Sequence, residues 1–319
     1  MSYITISIFL IAIFGLYRHA DSTLPVVAIA NYGPHASLEA TIKGFKEQMN
    51  AEGFIENKNI RYEIADVGFD SNLISQMLTT LKAKHPKVMM VISTPVAQVA
   101  KGKIQDIPLI YSSITDPVEA GLIKEPYKPH KNITGSSDKQ NLDVVLAFAK
   151  SILPHAKKVG MLYAPSESND VALVKMMRES ALKFNMEIVA LPIAQARDVT
   201  MTVQKFKDKV DLIYVGTSGP IQPTLPAIAA AAYKMQIPVF NVEGQAVRDG
   251  LAVASFGVNY IEVGRNAGKL AVAILRGKKV QGLKPVYPEA GHHHGVINKK
   301  LAENYSISLP HSNAIELVE

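Results

Sequence analysis

The stretch Val88–Ser113, VMMVISTPVAQVAKGKIQDIPLIYSS, decides the fold class. Val88–Ile92 is an unbroken apolar run of strand length. Ser93-Thr94-Pro95 then opens a helix, with proline where the first helical turn tolerates it. Ile107–Ser112 supplies the next strand. Working outward, Val26–Asn31 reads as a buried strand, and Ser37–Asn50 as a helix with Leu38, Ile42, Phe45 and Met49 on one face. Tyr62–Ala65 is a further strand, followed by a helix presenting Leu73, Ile74, Met77, Leu78 and Leu81. Strands alternating with helices imply parallel pairing through right-handed crossovers. The pattern restarts after residue 140. Leu142–Leu153, Asn169–Phe184 and Leu225–Met235 read as helices, between strands at Lys158–Tyr163, Glu187–Leu191, Leu212–Val215 and Val239–Asn241. Each half makes a small doubly wound α/β sheet. No low-complexity linker separates them, so ordered crossovers are expected at Asn132–Asp138 and at Leu251–Tyr260, ahead of a helix Ile261–Leu275. A final strand near Val296–Ile297 and the segment Leu301–Leu309 are expected to cross again. The expected division is 24–134 with 257–283 as the first lobe and 137–253 with 286–319 as the second. Several crossovers together form a hinge.

The 319 residues, 48% hydrophobic and 19% charged, describe a folded chain of about two domains. The net charge of +6 comes from dispersed lysines rather than a basic block with interleaved aromatics, which argues against nucleic-acid binding. With no cysteine there is no disulfide, thiol catalysis, cysteine-bound metal or lipid-attachment site. Ile4–Tyr17 is nearly all apolar, too short for an ordinary span and suited to the core of an export signal. No basic residue precedes it, and Arg-His-Ala stands where a small-x-small cleavage site belongs. Residues 1–22 are therefore expected to be a signal peptide or an uncleaved anchor, and the protein periplasmic and monomeric. His292-His293-His294 does not define a metal site, because adjacent side chains diverge, and no cofactor is expected. Asn132-Ile133-Thr134 matches a glycosylation acceptor but is more simply part of a crossover. The chain lacks the G-x-S-x-G, H-E-x-x-H and phosphate-loop motifs, and its carboxylates show no acid/base spacing, so it is read as a binding protein and not an enzyme.

Open parallel sheets bind ligands beyond the carboxyl ends of their strands. That rule selects Tyr32 and His35 after the first strand, Ser93 and Thr94 after the third, and Ser113 and Asp116 after the fourth. From the second half it selects Glu167 and Asn169, Thr217 and Ser218, and Glu243. Ser93-Thr94 suits a carboxylate, through hydroxyls and free N–H groups at a helix N-terminus, although a simple helix cap explains it equally well. Glu167 and Asn169 suit an ammonium or hydroxyl group, against the alternative of a capping cluster at Ser166 or Ser168. Asp116, before Pro117, fits a turn as well as a ligand contact.

Longer runs carry a family resemblance. TPVAQVAKGKIQDIPLIYSSITDPVEAGLI (Thr94–Ile123) with NITG (Asn132–Gly135), KKVGMLYAPSESN (Lys157–Asn169), DLIYVGTSG (Asp211–Gly219) and Ile237–Lys278 resemble ABC transporter substrate-binding proteins of the tryptophan/tyrosine-type group. The resemblance extends over essentially the whole chain after the leader. It implies a type I periplasmic binding protein: two Rossmann-like lobes with parallel sheets, a three-crossover hinge, and a small molecule in the cleft. The implied partners are a membrane permease and its ATPase subunit, and the implied ligand class is aromatic amino acids. By position, the implied contacts are Thr94, Asp116, Glu167 and Asn169. One departure stands out. Where the family commonly reads P-T-D-N, this chain has Gly216-Thr217-Ser218-Gly219, which puts a hydroxyl where the ammonium-binding aspartate is expected. Glu167, Asp116 or Glu243 then substitutes, or the ligand is not a standard α-amino acid. Tyr32, Tyr111, Tyr163 and Phe256 are the candidate aromatic walls. A second reading of the same fold is a membrane-anchored sensor ectodomain working with a separate signalling partner.

Overall fold

The structure is a computed structural model describing residues 24–289, 291, 293–310 and 315–319. The leader and His292 lie outside the described residues. The first lobe contains β1 (Val26–Asn31), α1 (Ala36–Ala51), β2 (Arg61–Asp66), α2 (Ile74–Lys82), β3 (Val88–Ile92), α3 (Thr94–Lys103), β4 (Leu109–Ser112) and β5 (Ile133–Ser136). Its sheet runs β2-β1-β3-β4-β5, parallel throughout. Every residue of β1 and β3 is buried, because helices cover both faces of a parallel sheet.

The second lobe begins with α4 (Leu142–Ile152), β6 (Lys158–Tyr163), α5 (Ser168–Lys183) and β7 (Glu187–Pro192). It continues through α6 (Val199–Gln204), β8 (Leu212–Val215), α7 (Leu225–Lys234), β9 (Val239–Asn241), α8 (Gly244–Arg248) and β10 (Ala254–Val258). Along β8, Leu212 and Tyr214 enter one apolar cluster while Ile213 and Val215 enter the other, the period-two alternation of a sheet covered on both sides. From β10 the chain passes to α9 (Tyr260–Leu275), which packs on α1 and belongs to the first-lobe core through Ala267, Leu270 and Ala271. It then returns to β11 (His293–Asn298), α10 (Lys299–Asn304) and β12 (Ile315–Val318), completing a sheet of order β12-β11-β10-β9-β8-β6-β7.

Three expectations need correction. Asn132–Asp138 and Leu251–Tyr260 are not mere crossovers, since each contains a buried strand, β5 and β10. Each is short and carries glycine. At Gly135 a Cβ would stand 2.2 Å from the Tyr111 carbonyl, an approach only glycine permits. Pairing is not wholly parallel: β10 and β11 run antiparallel, because the chain comes back from the first lobe in the opposite sense. The last crossing precedes β11, with Val286 N–H donating to Gly135 O (2.9 Å) and Val286 O accepting from Ser137 N–H (2.8 Å). Leu301 and Leu309 pack within the second lobe and do not cross.

Candidate functional site

Loops at the carboxyl ends of β1, β3, β4, β6, β8 and β9 meet across the two lobes around a small cavity. Tyr32, His35, Ser93, Thr94 and Ser113 line it from the first lobe, and Asn169, Thr217, Ser218 and Glu243 from the second. Glu167 stands just behind the wall. It is 6% exposed, with Oε1 accepting the Tyr32 hydroxyl at 2.8 Å. Asp116 does not line the cavity. Its Oδ1 accepts from the Val118 and Glu119 N–H groups at 3.0 and 3.1 Å, and Oδ2 pairs with Lys139 Nζ at 2.6 Å. The residue is held by its turn, as an aspartate before proline readily is.

The proposed aromatic walls are also mostly displaced. Tyr111 is sealed in the first-lobe core, Phe256 stacks on Phe148 (centroids 4.8 Å apart) in the second, and Tyr163 packs against that second core. Tyr32 alone remains. Its apolar companions at the cavity are Leu38, Phe69 and Tyr260, and Phe69 meets Tyr32 edge-on at 5.5 Å. Phe69 follows β2, so the strand-end rule would have reached it had it been applied there. Asp138, Gln222 and Tyr260 also line the cavity without having been foreseen.

Two cavity serines adopt positive-φ backbone. Ser93 has φ 77 and ψ 151, a conformation otherwise left to glycine, and Ser113 has φ 54. The Ser93 side chain makes no capping bond, which removes the simple-cap explanation for it and leaves its hydroxyl at the cavity beside the N-terminus of α3. Glu167, at the N-cap of α5, likewise makes no side-chain cap bond.

The wall is acidic. Burial raises the Glu167 carboxyl above its ordinary range against the Tyr32 hydrogen bond, and Oε2 has no partner. Behind Ser218, burial pushes Asp170 up to about 7, although Ala164 N–H donates to it at 2.7 Å and Asn169 Nδ2 at 3.0 Å. The Ser218 hydroxyl lies near that carboxyl but outside ordinary hydrogen-bond geometry. Asn169 Nδ2 also donates to Thr217 O (3.0 Å), leaving Oδ1 buried and unpartnered. Burial pushes Asp138 up to about 6, opposed by the Tyr260 hydroxyl at 3.1 Å and reinforced by nearby Glu243. Glu243 Oε1 is 3.1 Å from His35 Nδ1, the one basic side chain among the described residues lining the cavity, which also lies 3.0 Å from the Ser37 hydroxyl.

Several of these contacts join the lobes: Tyr32–Glu167, His35–Glu243 and Thr115–Thr217 (3.0 Å) at the cavity, with Gln98–Ser168 (3.1 Å) and Lys175–Glu119 (2.9 Å) at its rim. The cleft is closed. Among the described residues no cluster of His, Asp and Glu is arranged to hold a metal, and no helix is long and apolar enough to cross a membrane.

Comparison with known proteins agrees with this geometry. The chain is 33% identical over 254 residues to a tyrosine-binding protein of Clostridioides difficile, covering 80% of this chain and 73% of that one. An L-Trp complex of an ABC domain from Streptococcus pneumoniae superposes with a TM-score of 0.87 at 25% identity, covering 93% of this chain and all (100%) of the other. The ligand-free, open structure of a substrate-binding protein with adhesive properties from Clostridium difficile matches at 0.72 and 28% identity, covering 93% and 99%. The backbone therefore follows the L-Trp complex more closely than the open form. The family model for ABC transporter substrate binding proteins matches residues 26–316. The chain belongs to that family of ABC transporter substrate-binding proteins, which bind solutes and are not enzymes.

Proposed function

We propose that the protein captures an aromatic α-amino acid in the cleft between its lobes and delivers it, outside the cytoplasm, to an ABC permease driven by its ATPase subunit. The observation that carries this is the polarity of the closed cavity. First-lobe donors face second-lobe acceptors, as a zwitterion requires. On one side are the hydroxyls of Ser93 and Thr94 and the free N–H groups at the start of α3; on the other are the unpartnered Asn169 Oδ1 and, just behind the wall, Glu167 Oε2. The ligand carboxylate sits at the first set and its ammonium at the second. Asp170, behind Ser218, restores the negative charge that the serine lacks. Tyr32, Phe69 and Leu38 enclose the ring. Export by the Ile4–Tyr17 leader places the protein in the periplasm, where it acts as a monomer.

Calorimetric titration of the purified protein with L-tryptophan, L-tyrosine and L-phenylalanine, against aliphatic amino acids and polyols, tests the reading. Micromolar or tighter binding confined to aromatic amino acids is expected. Glu167→Gln should weaken it by about 10- to 100-fold, the weight of a charge-assisted hydrogen bond. Preference for a polyol, or no effect of Glu167→Gln, would refute it.

A further inference from the structure

The cavity holds a second acceptor centre that the ammonium site does not use. Asp138 follows β5 at the first crossover and is 3% exposed; its Oδ2 accepts the Tyr260 hydroxyl, while Oδ1 is buried with no partner. It lines the cavity, as do Tyr260 and Glu243. Glu243 Oε1 faces His35, whereas Asp138 Oδ1 is a buried oxygen on this side left without a partner. Asp138 follows a first-lobe strand, and its proximity to Glu243 places it toward the β9 end of the second-lobe sheet. Glu167 and Asn169 follow β6, whereas Glu243 follows β9, with β8 between them in the sheet. Two inter-strand steps set the β6 and β9 ends of the cavity about 10 Å apart. That span accommodates an amino acid lying lengthwise with a donor at each end.

We propose that Asp138, through its unpartnered Oδ1 at the end of the cavity opposite Glu167, is the specificity-determining acceptor for an N–H or O–H donor on the ligand's side chain. The inference rests on the amino-acid reading above and sharpens it, because a ring bearing a phenolic hydroxyl or an indole N–H satisfies Asp138 and a bare phenyl ring does not. A site that offers a buried acceptor rejects the ligand lacking the donor, since the acceptor is stripped of water and left unpaired. Burial does not neutralise the acceptor at neutral pH: with its carboxyl pushed to about 6, Asp138 is mostly ionised at pH 7.5.

The test is calorimetric titration with tyrosine, tryptophan and phenylalanine of the full protein and of the Asp138→Asn and Asp138→Ala variants, each checked for folding by thermal melting. The natural protein should prefer tyrosine or tryptophan to phenylalanine by at least tenfold. Asp138→Ala should lose most of that ratio and Asp138→Asn, which keeps a carbonyl acceptor without the charge, a smaller part of it, with phenylalanine affinity changing less than threefold. A purely structural role for Asp138 would weaken all three ligands equally, and that outcome overturns the proposal. Binding of all three by the natural protein without discrimination also overturns it, while leaving the amino-acid reading intact. Failure of all three to bind overturns both.

Discussion

Asp170 and Ser93 show the cavity working against the stability of its own walls. A carboxyl held near 7 in the folded protein, against about 4 in the unfolded chain, binds more protons folded than unfolded across that interval. Stability is then greatest below pH 4 as far as this group is concerned, and falls as pH rises toward 7. Asp138, up to about 6, adds a slope of the same sign. At about 1.4 kcal/mol per unit, Asp170 accounts for a loss on the order of 3 kcal/mol between pH 4 and 7.5. Asp170→Asn should flatten that part of the profile in urea melts of the ligand-free protein, at a cost of about 1 kcal/mol at pH 5 for the hydrogen bond it gives up. A ligand ammonium seated at Glu167 favours the ionised wall, so affinity should rise between pH 5 and 8. Ser93 stores strain instead of charge. Ser93→Gly relieves a backbone conformation costing about 1–3 kcal/mol and should raise stability by about 1 kcal/mol, while removal of the hydroxyl weakens ligand binding. Opposite signs in the melt and in the titration would mark strain retained for binding.

The contact between α1 and α9 holds the first lobe together across a chain that has left it and come back. Its closeness depends on glycine: a Cβ on Gly44 would stand 2.0 Å from Ile261 O, and one on Gly264 would stand 2.0 Å from Thr41 O. These are backbone atoms, so the helices themselves must part. Gly264→Ala should therefore lower stability by about 2 kcal/mol despite the better helix propensity of alanine. Gly102→Ala in α3, where the added methyl meets nothing, should raise it by about 0.5–1 kcal/mol. Opposite shifts in the two denaturation midpoints check the argument. The helix over 261–275 was legible in the sequence from its apolar spacing, and so were β1, β3, β6 and β8, whose apolar runs are long enough to declare themselves. β5 and β10 were not, because ITGS and ASFGV owe their place to partners distant in the chain. The site divides the same way. Strand ends announced Ser93, Thr94, Asn169, Thr217 and Glu243, but Asp138 and Tyr260 reach the cavity only through the crossovers, whose position depends on how the lobes meet. Asp116 was open to two readings for the converse reason: a turn and a ligand contact look alike in one dimension, and Lys139 and the two N–H groups favour the turn.

The lobes are joined by crossovers stitched together at Gly135, Ser137 and Val286, so they can part about one line while each core stays intact. What resists parting at the cavity is a small set of bonds, of which Tyr32–Glu167 is the most consequential because it links a first-lobe loop to the proposed ammonium site. A ligand bridging the lobes adds contacts available only in the closed form, and shifts the equilibrium by its differential affinity for that form. Small-angle scattering should accordingly show the radius of gyration falling as the amino acid is added. Tyr32→Phe keeps the ring against Phe69 but strips the donor from a buried carboxylate, which disfavours closure by about 1–3 kcal/mol. Ligand-free Tyr32→Phe should be more open than the natural protein, reach the same radius at saturation, and need roughly 5- to 100-fold more ligand to get there. An unchanged ligand-free radius with weakened binding would instead assign the hydroxyl to direct ligand contact. If the radius in the natural protein does not respond to ligand, the proposed closure of the lobes on their solute is wrong.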